Sequence, residues 1–211
     1  MGRTSDARER LLESCQALMH EKGYTAVGVG EICSQAGVNK GSFYYFFPSK
    51  QDLALAVIDQ FGAANEAQLS KVLESDAPPL ERLALFFDES YRAHRDSRAA
   101  CGKLLGCPIG NLALEMGSQD EVLRERLRTV LDAQIDRFAA VLQEAIDRGD
   151  LPPQDARGTA ASLMALIEGT LMLAKASDDT EVLRDLGPRA FRLIGTEVNE
   201  STKPQKRGVA K

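Results

Sequence analysis

The amino-acid sequence predicts an all-α protein of about nine helices, and three observations predict it. Apolar residues recur at three- and four-residue intervals along almost the whole chain, and no stretch alternates apolar with polar long enough to make a sheet. Gly and Pro punctuate the pattern at helix-length intervals, at Gly23, Pro78-Pro79, Gly149 and Pro152-Pro153. Aromatic residues are sparse and Trp is absent, which fits helices packed through Leu, Ala, Val and Ile.

Each element follows from local signals. Asp6 and Glu9 make a D-x-x-E capping pattern ahead of Leu11, Leu12, Cys15, Leu18 and Met19, a helical run that Gly23 ends. A compact segment from Val27 to Phe47 follows. Ser49 and Asp52 read as a capping box that opens a long helix to about Leu73, carrying Leu53, Val57, Phe61, Leu69 and Val72. Pro78-Pro79 breaks the chain and starts a helix from Leu80 to about His94. Residues 97–110 read as an irregular joint. Ser118 and Glu121 predict another capping box, before a helix with apolar positions 123, 127, 130, 131, 135, 138, 142 and 146. Gly149 and Pro152-Pro153 end that helix. From Asp155 to Ala176 the sequence is so apolar that the helix is expected to be buried on more than one side. The last stretch, 181–198, is expected to kink or restart at Gly187-Pro188, and the basic tail STKPQKRGVAK to be disordered. The resulting domains are 1–47, 48–198 and a tail at 199–211.

Composition excludes several classes. No apolar run approaches the roughly 18 residues of a membrane span, and the N-terminus lacks the apolar core of a secretion signal, so a cytoplasmic protein without a membrane partner is expected. Cys15, Cys33, Cys101 and Cys107 lack the paired spacing of a disulfide scaffold. With two histidines and no Cys/His cluster, no metal and no cofactor is expected. The net charge of −5 is unevenly spread: +1 over residues 1–50, −8 over 51–196 and +2 over 197–211. Local charge governs phosphate contact, so the acidic total does not exclude DNA.

The most informative stretch is residues 27–53, VGVGEICSQAGVNKGSFYYFFPSKQDL. It has the parts of a helix-turn-helix. Val29, Ile32, Cys33 and Ala36 give the first helix an inner face, Gly37 supplies the turn, and Val38 and Phe43 point back to a small core. Asn39, Lys40, Gly41 and Ser42 then form an exposed start to the second helix, followed by Tyr44 and Tyr45. Short side chains there permit close approach to base edges. The phenols and Lys50 suit phosphate oxygens.

The run AGVNKGSFYYFFPSKQDL resembles the DNA-binding signature of the tetracycline-repressor (TetR) family, over roughly residues 8–55. The resemblance implies an N-terminal three-helix reading domain and a C-terminal helical domain that binds a ligand and dimerises. It further implies a homodimer on a near-palindromic operator, released by a small-molecule effector, and no enzymatic activity. By residue match, Lys40, Gly41, Ser42, Tyr44 and Tyr45 lie where family members touch DNA, and Lys50 where they meet a backbone phosphate. Two positions depart from the pattern: Val27-Gly28 stands where Thr or Ser usually caps the first motif helix, and Phe46 stands where His or Tyr is common. Helices 155–176 and 181–198 resemble the family's dimerising pair.

Candidate effector-lining residues are Phe61, Phe87, Tyr91, Cys107, Asn111, Met116, Met164 and Glu168, with plain packing as the competing reading of each. Asn111, Glu115 and Glu168 are polar residues in apolar surroundings that need partners. The segment CGKLLGCPIGNLALE resembles a joint found in relatives that respond to electrophiles, oxidants or small aromatic compounds. Cys101 and Cys107 are accordingly read either as reactive thiols near a helix start and Lys103 or as small hydrophobes. An enzymatic reading finds no phosphate loop, HExxH or nucleophile elbow. An architectural DNA-binding protein of the same fold would differ by needing no effector.

Overall fold

The computed structural model describes residues 2–197, with side chains from Asp6. Among the described residues there are nine α-helices, one 3-10 turn and no strand. The helices are α1 (Gly2–Lys22), α2 (Val29–Ala36), α3 (Lys40–Phe46), α4 (Lys50–Leu73), α5 (Pro79–Cys101), α6 (Pro108–Met116), α7 (Glu121–Asp147), α8 (Ala156–Ser177) and α9 (Leu186–Leu193), with the 3-10 turn at Thr180–Leu183. The basic tail at 199–211 lies outside the described residues. Two compact units result: Met1–Asn65 with Cys107–Leu131, and Glu66–Gly106 with Asp132–Lys211.

In the first unit, α1, α2 and α3 bury Leu11, Cys15, Ile32, Cys33 and Phe43 in one core with Leu53 and Val57 of α4, Ile109 and Leu112 of α6, and Leu123 and Leu127 of α7. α1 begins earlier than the Asp6 signal predicts. No Gly or Pro interrupts residues 3–5, so the helix runs through them, and Asp6 pairs instead with Arg10 one turn on, at 3.6 Å. The Ser49 signal holds: Asp52 N–H donates to Ser49 Oγ at 3.1 Å, and the hydroxyl donates to the Asp52 carboxylate at 2.7 Å. At α7 the cap is Asp120 rather than Ser118. Its carboxylate accepts the Leu123 N–H at 3.0 Å, while residues 117–119 form a turn.

In the second unit, α5 starts on Pro79 and runs to Cys101, because the chain holds no breaker until Gly102, whose φ of 76° supplies the left-handed cap. The predicted end at His94 and the joint from residue 97 are thus corrected. Arg82 on α5 is buried; it donates to the carbonyl of Leu73, the last residue of α4, at 2.6 Å and pairs with Glu144 on α7. That contact satisfies a carbonyl left open by the helix end. The aromatic rings of Phe86, Phe87 and Phe138 meet edge to face.

The buried face of α7 in this unit is Gln134, Phe138, Val141, Leu142 and Ala145, while Ile135 and Ile146, expected on it, are half-buried. Gln134 sits seven residues after Leu127 and four before Phe138, so helical geometry puts its amide on the apolar stripe. α8 is capped by Asp155, which accepts the Gly158 N–H at 3.0 Å. By length and apolar composition α8 matches a membrane span, a match that counting uninterrupted apolar residues missed. Its Ala160, Leu163, Ile167, Leu171 and Ala174 are buried within the unit. The chain restarts at Leu186, and Pro188 falls in the first turn of α9, where a missing N–H costs no helical hydrogen bond.

Candidate nucleic-acid interface

α2 begins on Gly28 in an extended conformation without a side-chain cap, and it buries Ile32, Cys33 and Ala36. Gly37 then takes φ 63°, a left-handed value open to glycine at little cost. Val38 N–H closes the helix end on Cys33 O at 3.0 Å and Gly37 N–H on Ser34 O at 3.3 Å. Asn39 opens α3 by accepting the Ser42 N–H at 2.8 Å. The whole turn is specified by three consecutive needs: a glycine, an apolar plug at Val38, and a capping amide.

α3 is seven residues long and divides sharply. Phe43 is fully buried and Phe47, just past its end, nearly so, with the Arg8 guanidinium 5.2 Å above the Phe47 ring. Tyr44 and Tyr45 are 56% and 77% exposed, and Asn39, Lys40 and Gly41 are exposed beside them. Ser42 and Phe46 are half-buried. The Tyr44 ring meets Phe43 edge to face at 5.1 Å, and Tyr45 meets Phe46 likewise at 5.0 Å. Each tyrosine ring is thus backed by a neighbouring phenylalanine ring while most of the residue stays exposed. An open, polar, two-turn surface of this kind suits a groove lined by acceptors and phosphates.

Lys50 is half-buried. Its ammonium donates to the Tyr24 carbonyl at 2.7 Å and stands 4.0 Å above the Tyr24 ring. Burial pulls its pKa below the ordinary lysine value, against the opposing pull of Cys15 and Glu115. An ammonium has three donors, so two remain beside the one on Tyr24. The same turn engages Glu115 of α6, whose two carboxylate oxygens accept the N–H groups of Tyr24 and Thr25 at 2.8 and 2.7 Å. Sequence reasoning marked Glu115 as a polar group needing a partner. Its partners stand some 90 residues away in the chain, which no local pattern announces.

The eight effector-lining candidates divide between the two units. Phe61, Cys107, Asn111 and Met116 belong to the first, and Phe87, Tyr91, Met164 and Glu168 to the second. Phe61 meets His20 edge to face, Cys107 caps α6 with its sulfur 3.4 Å from Gly110 N, and buried Met116 accepts the Thr25 hydroxyl at 3.8 Å. Phe87 and Met164 are buried, and Tyr91 donates to Glu181 at 2.8 Å. Asn111 and Glu168 are half-buried on α6 and α8. Cys101 is exposed at the end of α5. Among the described residues no group of three or more His, Cys, Asp or Glu side chains is placed to hold a metal.

Comparison with known proteins agrees with this geometry. Residues 11–57 match the family model described as bacterial regulatory proteins, tetR family, and residues 79–187 match the tetracyclin repressor-like C-terminal domain. An HTH-type transcriptional regulator in the lacX 3' region of Lactococcus lactis is 31% identical over 197 residues, covering 90% of this chain and 95% of that protein. The transcriptional regulator AcuR of Cereibacter sphaeroides is 34% identical over 171 residues, covering 80% and 76%. The crystal structure of a regulatory protein TetR from Rhodobacter sphaeroides superposes with a TM-score of 0.79 at 32% identity, covering 89% of this chain and 98% of that one. With both halves of the chain matched, the helix-turn-helix and its helical partner domain belong together, and the protein is a DNA-binding transcriptional regulator of the TetR family.

Proposed function

We propose that the chain is a homodimeric repressor that reads a near-palindromic operator through α3 and is released by a small-molecule effector. The observation that carries the reading is the split of α3, with Phe43 locked inside while Lys40, Gly41, Tyr44 and Tyr45 stand outside. Lys40 and Ser42 are assigned to base edges. Asn39 and Gly41 keep the helix start slim enough for close approach, and Tyr44, Tyr45 and Lys50 meet phosphates. Two heads separated by about 34–36 Å would reach successive major grooves.

The dimer is assigned to α8 and the last helical stretch. The outward face of α8 carries Gly158, Ser162, Ala165, Gly169, Leu173 and Ala176 at helical spacing, and a Cβ built on Gly169 meets nothing within 4 Å. Small residues and open space let a second helix approach closely, and the exposed Met172 and Leu173 supply apolar area. The effector is assigned to candidates within one unit, either Phe61, Cys107, Asn111 and Met116 or Phe87, Tyr91, Met164 and Glu168. By linkage, it releases DNA by preferring the dimer whose heads are misplaced for adjacent grooves, and DNA weakens the effector by the same factor.

The test is selection of binding sites from a random duplex library by the wild type and by Tyr44→Ala/Lys50→Ala. Enrichment of an inverted repeat by the wild type alone is the expected result. Tyr44→Phe and Lys50→Ala should weaken all duplexes about equally, whereas Lys40 and Ser42 substitutions should change the preferred bases. No enrichment by folded, dimeric protein would refute the reading. Operator binding indifferent to every small molecule tried would favour an architectural role.

A further inference from the structure

We propose that Glu115 is a positioning residue for DNA reading: its carboxylate holds the turn between α1 and α2 and thereby fixes where α2 and α3 stand. The inference rests on α3 being the reading helix.

The turn needs an external partner. α1 ends at Lys22, and the backbone N–H groups of Tyr24 and Thr25 both donate to Glu115, one to each oxygen. A carboxylate that takes two successive N–H groups fixes the orientation of the peptide between them as well as its position. The carbonyl of the same Tyr24 receives the Lys50 ammonium and, at 3.3 Å, the Val27 N–H. The peptide groups flanking Tyr24 are therefore held from α6 on one side and α4 on the other.

Gly23 shows how closely the carboxylate is fitted. Its φ is +86°, and a Cβ built there would lie 2.8 Å from Glu115 Oε2. Glu115 is itself well anchored, because Ile109, Leu112 and Met116 bury the other face of α6 in the unit's core. Burial alone would raise the Glu115 pKa. The hydrogen bonds from Thr25 and Tyr24 and the charge of Lys50 outweigh it and hold the carboxyl below its ordinary value, so the anion is the form that this turn binds.

The mechanical chain to DNA is short. Val27 is buried directly after the turn, α2 starts at Val29, and Gly37 and Asn39 join α2 to α3 without slack. Freeing Tyr24 and Thr25 releases the entry of α2, while the apolar core of Leu11, Ile32 and Phe43 keeps the unit folded. Loss of Glu115 should thus blur the placement of the reading helix more than it unfolds the protein.

The experiment compares wild type, Glu115→Gln and Glu125→Gln. Glu125 lies on α7 of the same unit, where its carboxylate pairs with Arg128, so its variant controls for the charge change. The probes are the duplex most enriched by the wild type from a random library and an unrelated duplex of equal length. Glu115→Gln should bind the selected duplex at least tenfold more weakly, change less than twofold on the unrelated one, and lose hydrogen-exchange protection at Tyr24 and Thr25. Glu125→Gln should match the wild type throughout. Selected-duplex affinity within twofold of wild type for Glu115→Gln overturns the proposal, and so does an equal loss on both duplexes with a collapsed melting temperature. If the wild type enriches no duplex, the reading helix assignment itself fails, and the positioning role with it.

Discussion

Asn39 and Ser42 close the first turn of α3 on themselves: the Asn39 carboxamide oxygen accepts the Ser42 backbone N–H at 2.8 Å. One oxygen at the exposed start of α3 is therefore committed to folding. Asn39→Ala should cost about 1 kcal/mol of stability by urea denaturation. Asn39→Asp keeps the cap and adds a negative charge facing the phosphates. Its stability should stay near wild type while its DNA affinity falls, and loss of both together would mean the cap had not survived.

Two left-handed glycines offer a controlled comparison. Gly102 has φ 76° with nothing within 4 Å of a built Cβ, while Gly23 has φ 86° and the Glu115 carboxylate 2.8 Å away. Gly102→Ala should cost only the backbone strain, about 1–2 kcal/mol. Gly23→Ala adds a steric clash and should be the more destabilising in thermal unfolding. Equal costs would show that the carboxylate moves aside freely.

Leu173 is 57% exposed on α8, so it contributes little to the core of its own protomer. Leu173→Arg should leave helicity intact, shift the protein toward monomer in sedimentation, and weaken operator binding. A dimer that survives this change with full affinity would place the interface elsewhere.

Three of the four thiols should separate by access. Burial pushes the Cys15 thiol up to about 12, against the pull of Lys50, and burial also raises Cys33. Cys101 is exposed. Brief alkylation of native protein, read by mass spectrometry, should label Cys101 and spare Cys15 and Cys33 until the chain is unfolded. Early labelling of Cys15 would contradict the packing of α1.

Acid should act partly through Glu115. Its folded pKa lies below the ordinary 4.5, so the stability it contributes is complete above that value and is lost as pH falls through the depressed one. Unfolding curves from about pH 5 down to about pH 3 should show a shallower loss for Glu115→Gln than for wild type. Identical slopes would mean that the carboxylate gains nothing from folding.

Local signals were the most legible part of this chain. Gly37, the Ser49–Asp52 box, the Asp155 helix start and Pro79 each act within four residues, and each does in the structure what its chemistry predicts. Competition between neighbouring signals was harder to read. Asp6 is a good cap placed where the helix has no reason to begin, and Asp120 outcompetes Ser118 for the start of α7. Gln134 is polar in type, yet its spacing from Leu127 and Phe138 places it inward. The pairing of Glu115 with Tyr24 and Thr25 depends on tertiary packing, and a single sequence records no distance between α6 and the first turn.

α3 is too short to persist alone in water, since two turns do not recover the cost of nucleating a helix. It exists because Phe43 and Phe47 are held from behind, and Phe43 also backs the Tyr44 ring. What holds the helix and what it exposes are thus different residues of one short segment, 40–47. On the reading proposed above, a designer seeking a new target sequence could vary Lys40 and Tyr45 without touching Phe43 or Phe47.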